Sequence, residues 1–120
     1  MIDLLLIAGG AFQIFWGIIH LIPTKSVVEG FGQISKNNKR TLIMEWMNEG
    51  FTLIFIGILV ILNAVLGVHQ GFVNWIAVAM LVSRALLTIA TGAKTQQIVF
   101  KMCPVISIGA TLLIVIGTVM

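Results

Sequence analysis

Four runs of about 20 residues each, at 3–22, 46–66, 71–91 and 97–119, are almost free of charge and together take up most of this 120-residue chain. A run of that length is what a helix needs to cross a hydrocarbon core of ~30 Å. Hydrocarbon offers a backbone no hydrogen-bond partners, so a segment that crosses it must satisfy its own amides, and an α-helix does so. The connectors at 67–70 and 92–96 are short, which makes sequential helices antiparallel neighbours. The chain therefore reads as an all-α integral membrane protein: a single domain, 1–120, with four transmembrane helices in an up-down-up-down bundle.

Composition narrows the function classes. With 59% hydrophobic and 9% charged residues and a mean hydropathy of +1.13, the chain lies far from soluble globular usage, where about 25% of residues are charged. No length remains for a soluble catalytic module, so the activity belongs in or at the bilayer. The single Cys103 rules out an intrachain disulfide and paired-thiol redox chemistry, and it reads as a small packing residue. The first ten residues, MIDLLLIAGG, carry no positive n-region, and no small-residue cleavage site follows, so the first helix is expected to be retained.

The formal charge of +3 has its sources in the connectors, and it speaks to topology rather than to nucleic acid, which is not expected as a partner. Lys25, Lys36, Lys39 and Arg40 lie in the first connector (23–45), Lys94 in the third, and Lys101 one turn into the last helix; the second connector has only His69. By the positive-inside rule, connectors one and three are cytoplasmic and both termini lie on the non-cytoplasmic side. The expected location is the cytoplasmic, or plasma, membrane. Within the first connector, Val27, Val28, Phe31 and Ile34 recur near helical spacing among basic residues, which predicts a short interfacial segment on the headgroups. Pro104 should kink or loosen the fourth helix about one turn from its start.

Each helix carries one polar or small-residue stripe. On the second, Glu45, Glu49, Thr52, Ile56 and Asn63 fall within roughly 40° of one line. On the first, Gly9, Gly10, Gln13, Gly17 and His20 share a face, whose glycines allow close approach of another helix and make it the candidate surface for self-association into a homo-oligomer. Ala77, Arg84, Thr88 and Thr91 align on the third, and Gln96, Cys103, Ser107, Thr111 and Thr118 on the fourth. Trp46 and Trp75, at opposite ends of the bundle, read as interface anchors.

Depth links the stripes. At 1.5 Å per residue, His20, Glu49 and Lys101 lie about 10–12 Å from mid-span toward the cytoplasm, and Arg84 about 4 Å that way. An arginine near mid-membrane costs at least ~2.5 kcal/mol on insertion scales and is normally paired or hydrated. Glu49 is the best partner by depth and sign, with Glu45 second, so an Arg84–Glu49 ion pair bordered by His20, Asn48 and Thr88 is expected. A plainer reading puts Glu45 and Glu49 in the first turn of a membrane helix, where acids favour the positive dipole end. Asn63 and Asn74 share a depth on the opposite side and are expected to bond across helices two and three. Lys101 lies off its helix's stripe and reads as a snorkelling residue.

These residues bound the chemistry. A di-iron site needs Glu-x-x-His motifs that the chain lacks; bis-histidine haem fails because the topology puts His20 and His69 on opposite faces; zinc has only His20, Glu45 and Glu49 as conceivable ligands. No cofactor and no metal are expected. The leading reading is a binding or transport module in which His20, Glu45, Asn48, Glu49, Arg84 and Thr88 form a polar pocket for a small lipophilic or ionic ligand from the cytoplasmic side. The alternatives are an accessory subunit of a larger membrane complex and a membrane-embedded acid-base enzyme acting on a lipid-like substrate, and the balance leans away from an enzyme.

One stretch has an outside resemblance. Ala8 to Trp16, AGGAFQIFW, resembles the first helix of small multidrug resistance transporters, whose membrane-embedded glutamate couples protons to cation export. Gln13 stands at the corresponding position and cannot titrate, the likeness covers one helix of four, and no membership follows. The size is similar to that of DoxX-type four-helix membrane proteins, without a diagnostic motif.

Overall fold

The computed structural model describes residues 2–66, 71–90 and 98–120, and all of its regular structure is helical. The helices are α1 (Ile2–Leu21), α2 (Thr24–Glu29), α3 (Lys36–Val65), α4 (Gly71–Ala90) and α5 (Ile98–Val119). Four of them, α1, α3, α4 and α5, are long and apolar enough to cross a membrane, and the chain is a multi-pass membrane protein. His69, Thr91, Lys94 and Gln96 lie outside the described residues, as does the side chain of Lys101.

The largest departure from the hydropathy reading is at α3. It begins at Lys36, ten residues before the apolar run, because Ser35 supplies an N-cap: its Oγ accepts from the Asn38 amide at 3.1 Å. A capped start lets helix propagate through residues that are too polar for hydrocarbon. Glu45 and Glu49 therefore sit well inside a 30-residue helix, not in its first turn, and the dipole reading of these acids is overturned. At 30 residues the rod is about 45 Å long, more than a bilayer core needs, so its first turns protrude.

Contacts between helices fix the packing order. Gly10 of α1 faces Gly57 of α3, and Gly17 faces Gly50, seven residues on along one helix and seven back along the other, so the two run antiparallel. A Cβ at Gly10 would lie 2.7 Å from the Gly57 carbonyl oxygen, and one at Gly17 would lie 2.9 Å from that of Gly50. Only glycine permits this approach, and it brings backbone against backbone over two turns. Gly9 instead abuts α5, where a Cβ would lie 2.9 Å from Ile114 Cγ1. The glycine face of α1 is thus occupied within the chain and is not a free surface for self-association.

Around this pair, α5 packs on α1 and α4 packs on α5, whereas α3 and α4 touch only sparsely. The buried seam of α3 (Gly50, Leu53, Ile56, Gly57, Val60, Asn63 and Ala64) recurs every three or four residues, as does that of α4 (Asn74, Ala77, Leu81 and Ala85). The outward faces carry Phe12, Phe15, Phe51, Phe55 and Leu86, all exposed on the isolated chain, as lipid-facing positions are. Near one end, Asn63 Nδ2 donates to Asn74 Oδ1 at 3.0 Å across α3 and α4, both residues buried. Pro104 lies within α5, which continues through it.

Candidate functional site

The sparse seam between α3 and α4 widens, at the end away from the asparagine pair, into a cavity of about 600 Å³. Its floor and walls come from four helices. His20 is in the last turn of α1; Glu45, Asn48, Glu49 and Thr52 are on α3; Ser83, Arg84 and Thr88 are on α4; Cys103 is on α5. Every residue of the expected polar pocket is on this wall, although Glu45 and Asn48 lie at its exposed rim.

Glu49 is the hub. Its Oε1 forms an ion pair with Arg84 Nη2, and its Oε2 lies 3.4 Å from His20 Nε2. The guanidinium then divides its attention: Nη1 donates to Ser107 Oγ on α5 at 2.9 Å, which ties α3, α4 and α5 through one side chain. Arg84 is only 12% exposed at its side chain, against 36% for Glu49. Such a cation needs an anion where the dielectric is low, and Glu49 is the carboxylate that reaches it.

His20 is held from two directions. Its ring stacks on the Trp46 indole with centroids 3.9 Å apart and planes 15° from parallel. Trp46 Nε1 also donates to the His20 backbone oxygen at 2.8 Å, one of the acceptors that the end of α1 leaves open. Trp46 is therefore partly buried in a tertiary contact, more than an anchor in the headgroups. The remaining hydroxyls are spent locally: Thr52 donates to the Asn48 carbonyl and Thr88 to the Arg84 carbonyl, each at 2.8 Å. Their oxygens remain as acceptors.

The lid was only half legible in the sequence. Spacing pointed to a helical segment around Val27 and Val28, which the structure gives as α2; it packs on α3, and both valines are buried and line the cavity with Phe31. The segment thus closes the cavity's end instead of lying free on the headgroups. Ser107 belongs to the polar stripe expected on the fourth helix, but spacing alone does not reveal it as the second partner of Arg84. Its full burial and its register with the arginine of the neighbouring helix appear only in the structure.

Chemically, the site offers an anchored charge pair, an imidazole and hydroxyl and amide groups facing an otherwise apolar cavity. Among the described residues, no group of three or more His, Cys, Asp or Glu side chains converges as a metal site would require. Compared with known protein families, with curated proteins and with solved structures, the chain matches none.

Proposed function

We propose that this protein binds, and in that capacity carries or presents, a small lipophilic or ionic ligand in the cavity beside Glu49 and Arg84. One observation carries the reading: a bundle this small keeps about 600 Å³ open, within the ~300–1,000 Å³ typical of ligand pockets, and places its charged groups on that wall. A subunit whose polar groups served only packing would be expected to close over them. The exposed Lys25, Lys36, Lys39 and Arg40 near this end support a cytoplasmic orientation for it, with both termini outside and the chain in the cytoplasmic membrane. Access is then from the inner leaflet or its headgroup layer, through the gap between α3 and α4, because α2 covers the end.

The test is a thermal-stability panel on the purified protein in detergent, using cationic, anionic and neutral amphiphiles of matched size. The expected result is that one charge class stabilises the wild type by several degrees and loses its effect in Glu49→Gln. A flat response across all three classes would overturn the reading.

A further inference from the structure

Deeper in the bundle, Gln13 and Trp16 do not line the cavity, and their buried polar atoms have no partner, as is also true of Nε on Arg84 at the cavity wall. Gln13 is 0% exposed, and neither its Oε1 nor its Nε2 meets a hydrogen-bonding group of the protein. Trp16, nearly one turn toward His20 on the same side of α1 and 7% exposed, has an equally unpartnered indole Nε1, and so has Arg84 at Nε. Leaving such groups dry is costly, and native interiors normally satisfy them with protein or ordered water.

The three residues are close in depth. The α1–α3 register set by Gly10–Gly57 and Gly17–Gly50 puts Glu49 level with residue 18 of α1, and the Glu49–Arg84 pair brings the guanidinium to that depth. Trp16 and Gln13 follow within the next two turns, about 3 and 8 Å further in. Ser107, bonded to Arg84, and Thr111, which donates to the Ser107 carbonyl at 2.6 Å, descend α5 alongside them, both buried. Leu53 is fully buried at this level, and beyond Gln13 the buried residues Leu6, Val60, Ala77 and Ile114 make the interior apolar.

We propose that Gln13, Trp16 and the inner edge of Arg84 hold internal water, forming a short polar well that runs from the charged cluster to the middle of the bundle. The donor-acceptor balance selects water over an ion. Trp16 Nε1–H, Arg84 Nε–H and the Gln13 amide N–H need acceptors, whereas Gln13 Oε1 needs a donor, and one small molecule that does both is water. The apolar layer at Leu6, Val60, Ala77 and Ile114 closes the well, so it hydrates half the bundle without connecting the two faces. The inference does not depend on a ligand in the cavity.

Water-edited solid-state NMR of the full chain in lipid bilayers tests this. The Trp16 indole N–H, assigned by its loss in Trp16→Phe, should take up magnetisation from water about as fast as the exposed first turn of α3. It should also do so severalfold faster than the backbone amides of Val60 and Ile114. Gln13→Leu should slow that transfer severalfold. Transfer to Trp16 as slow as to Val60, or transfer unchanged by Gln13→Leu, would overturn the proposal. If the leucine variant does not fold, the wild-type comparison and the response of the Gln13 amide to Trp16→Phe decide it.

Discussion

At the scale of single residues, Arg84 sets the energetics of the site. Glu49→Gln leaves the guanidinium with Ser107 and without a counter-charge. Because Glu49 is 36% exposed at its side chain, the loss falls below the ~3–5 kcal/mol seen when a fully buried pair is broken, and about 1–3 kcal/mol is expected. Replacing both partners with apolar residues, Glu49→Leu with Arg84→Leu, should recover much of that loss, since a pair of matched greasy side chains leaves no orphan. Thermal unfolding of the single and double variants in detergent checks both, and additive losses would contradict the pairing. A second residue-scale expectation concerns Trp46: Trp46→Phe keeps a ring to stack on His20 but removes the bond to its carbonyl, at about 1 kcal/mol.

Among the elements, the contact between α1 and α3 depends most on sequence. Gly57→Ala would drive a methyl into the Gly10 carbonyl oxygen, whereas a Cβ at Gly109 of α5 meets nothing within 4 Å. The first substitution should lower stability by about 1–3 kcal/mol through overpacking, and the second should be neutral or gain up to about 1 kcal/mol from helix propensity. Equal effects in an unfolding assay would argue against the close approach. What could be read in advance follows from the same physics. Apolar length marked the four spans, and depth with charge brought Arg84 to Glu49, because a buried cation leaves few alternatives. The start of α3 was not visible to hydropathy, which registers lipid solubility and is blind to a serine cap. The glycines of α1 were visible, but not their partners: two glycine pairs on different helices match only once the register is known. The Trp46–His20 stack was hidden because an aromatic residue at a helix end suits headgroups equally well.

For the whole molecule, the cavity and its cover make the next prediction. Cys103 is 2% exposed and lines the same cavity as Val27 and Val28 of α2. Val28→Asp should lift α2 from its apolar seat, because the new carboxylate cannot stay buried unpaired. Alkylation of this single thiol by N-ethylmaleimide should then quicken severalfold, as read by mass spectrometry. An unchanged rate would mean that α2 does not guard the cavity.

The thin seam between α3 and α4 has a mechanical consequence. Two glycine pairs bolt α1 to α3, and α4 leans on α5, so the gap is the line along which the structure yields most cheaply. Among the described residues, the Asn63–Asn74 clasp at the far end and the charge pair both link across it, and Arg84 keeps its grip on Ser107 if α4 and α5 swing away together. A guest that wedges the helices apart must break the attraction between Glu49 and Arg84 or substitute its own polar group for one of them. The pair would then act as a latch whose strength sets how selective the opening can be.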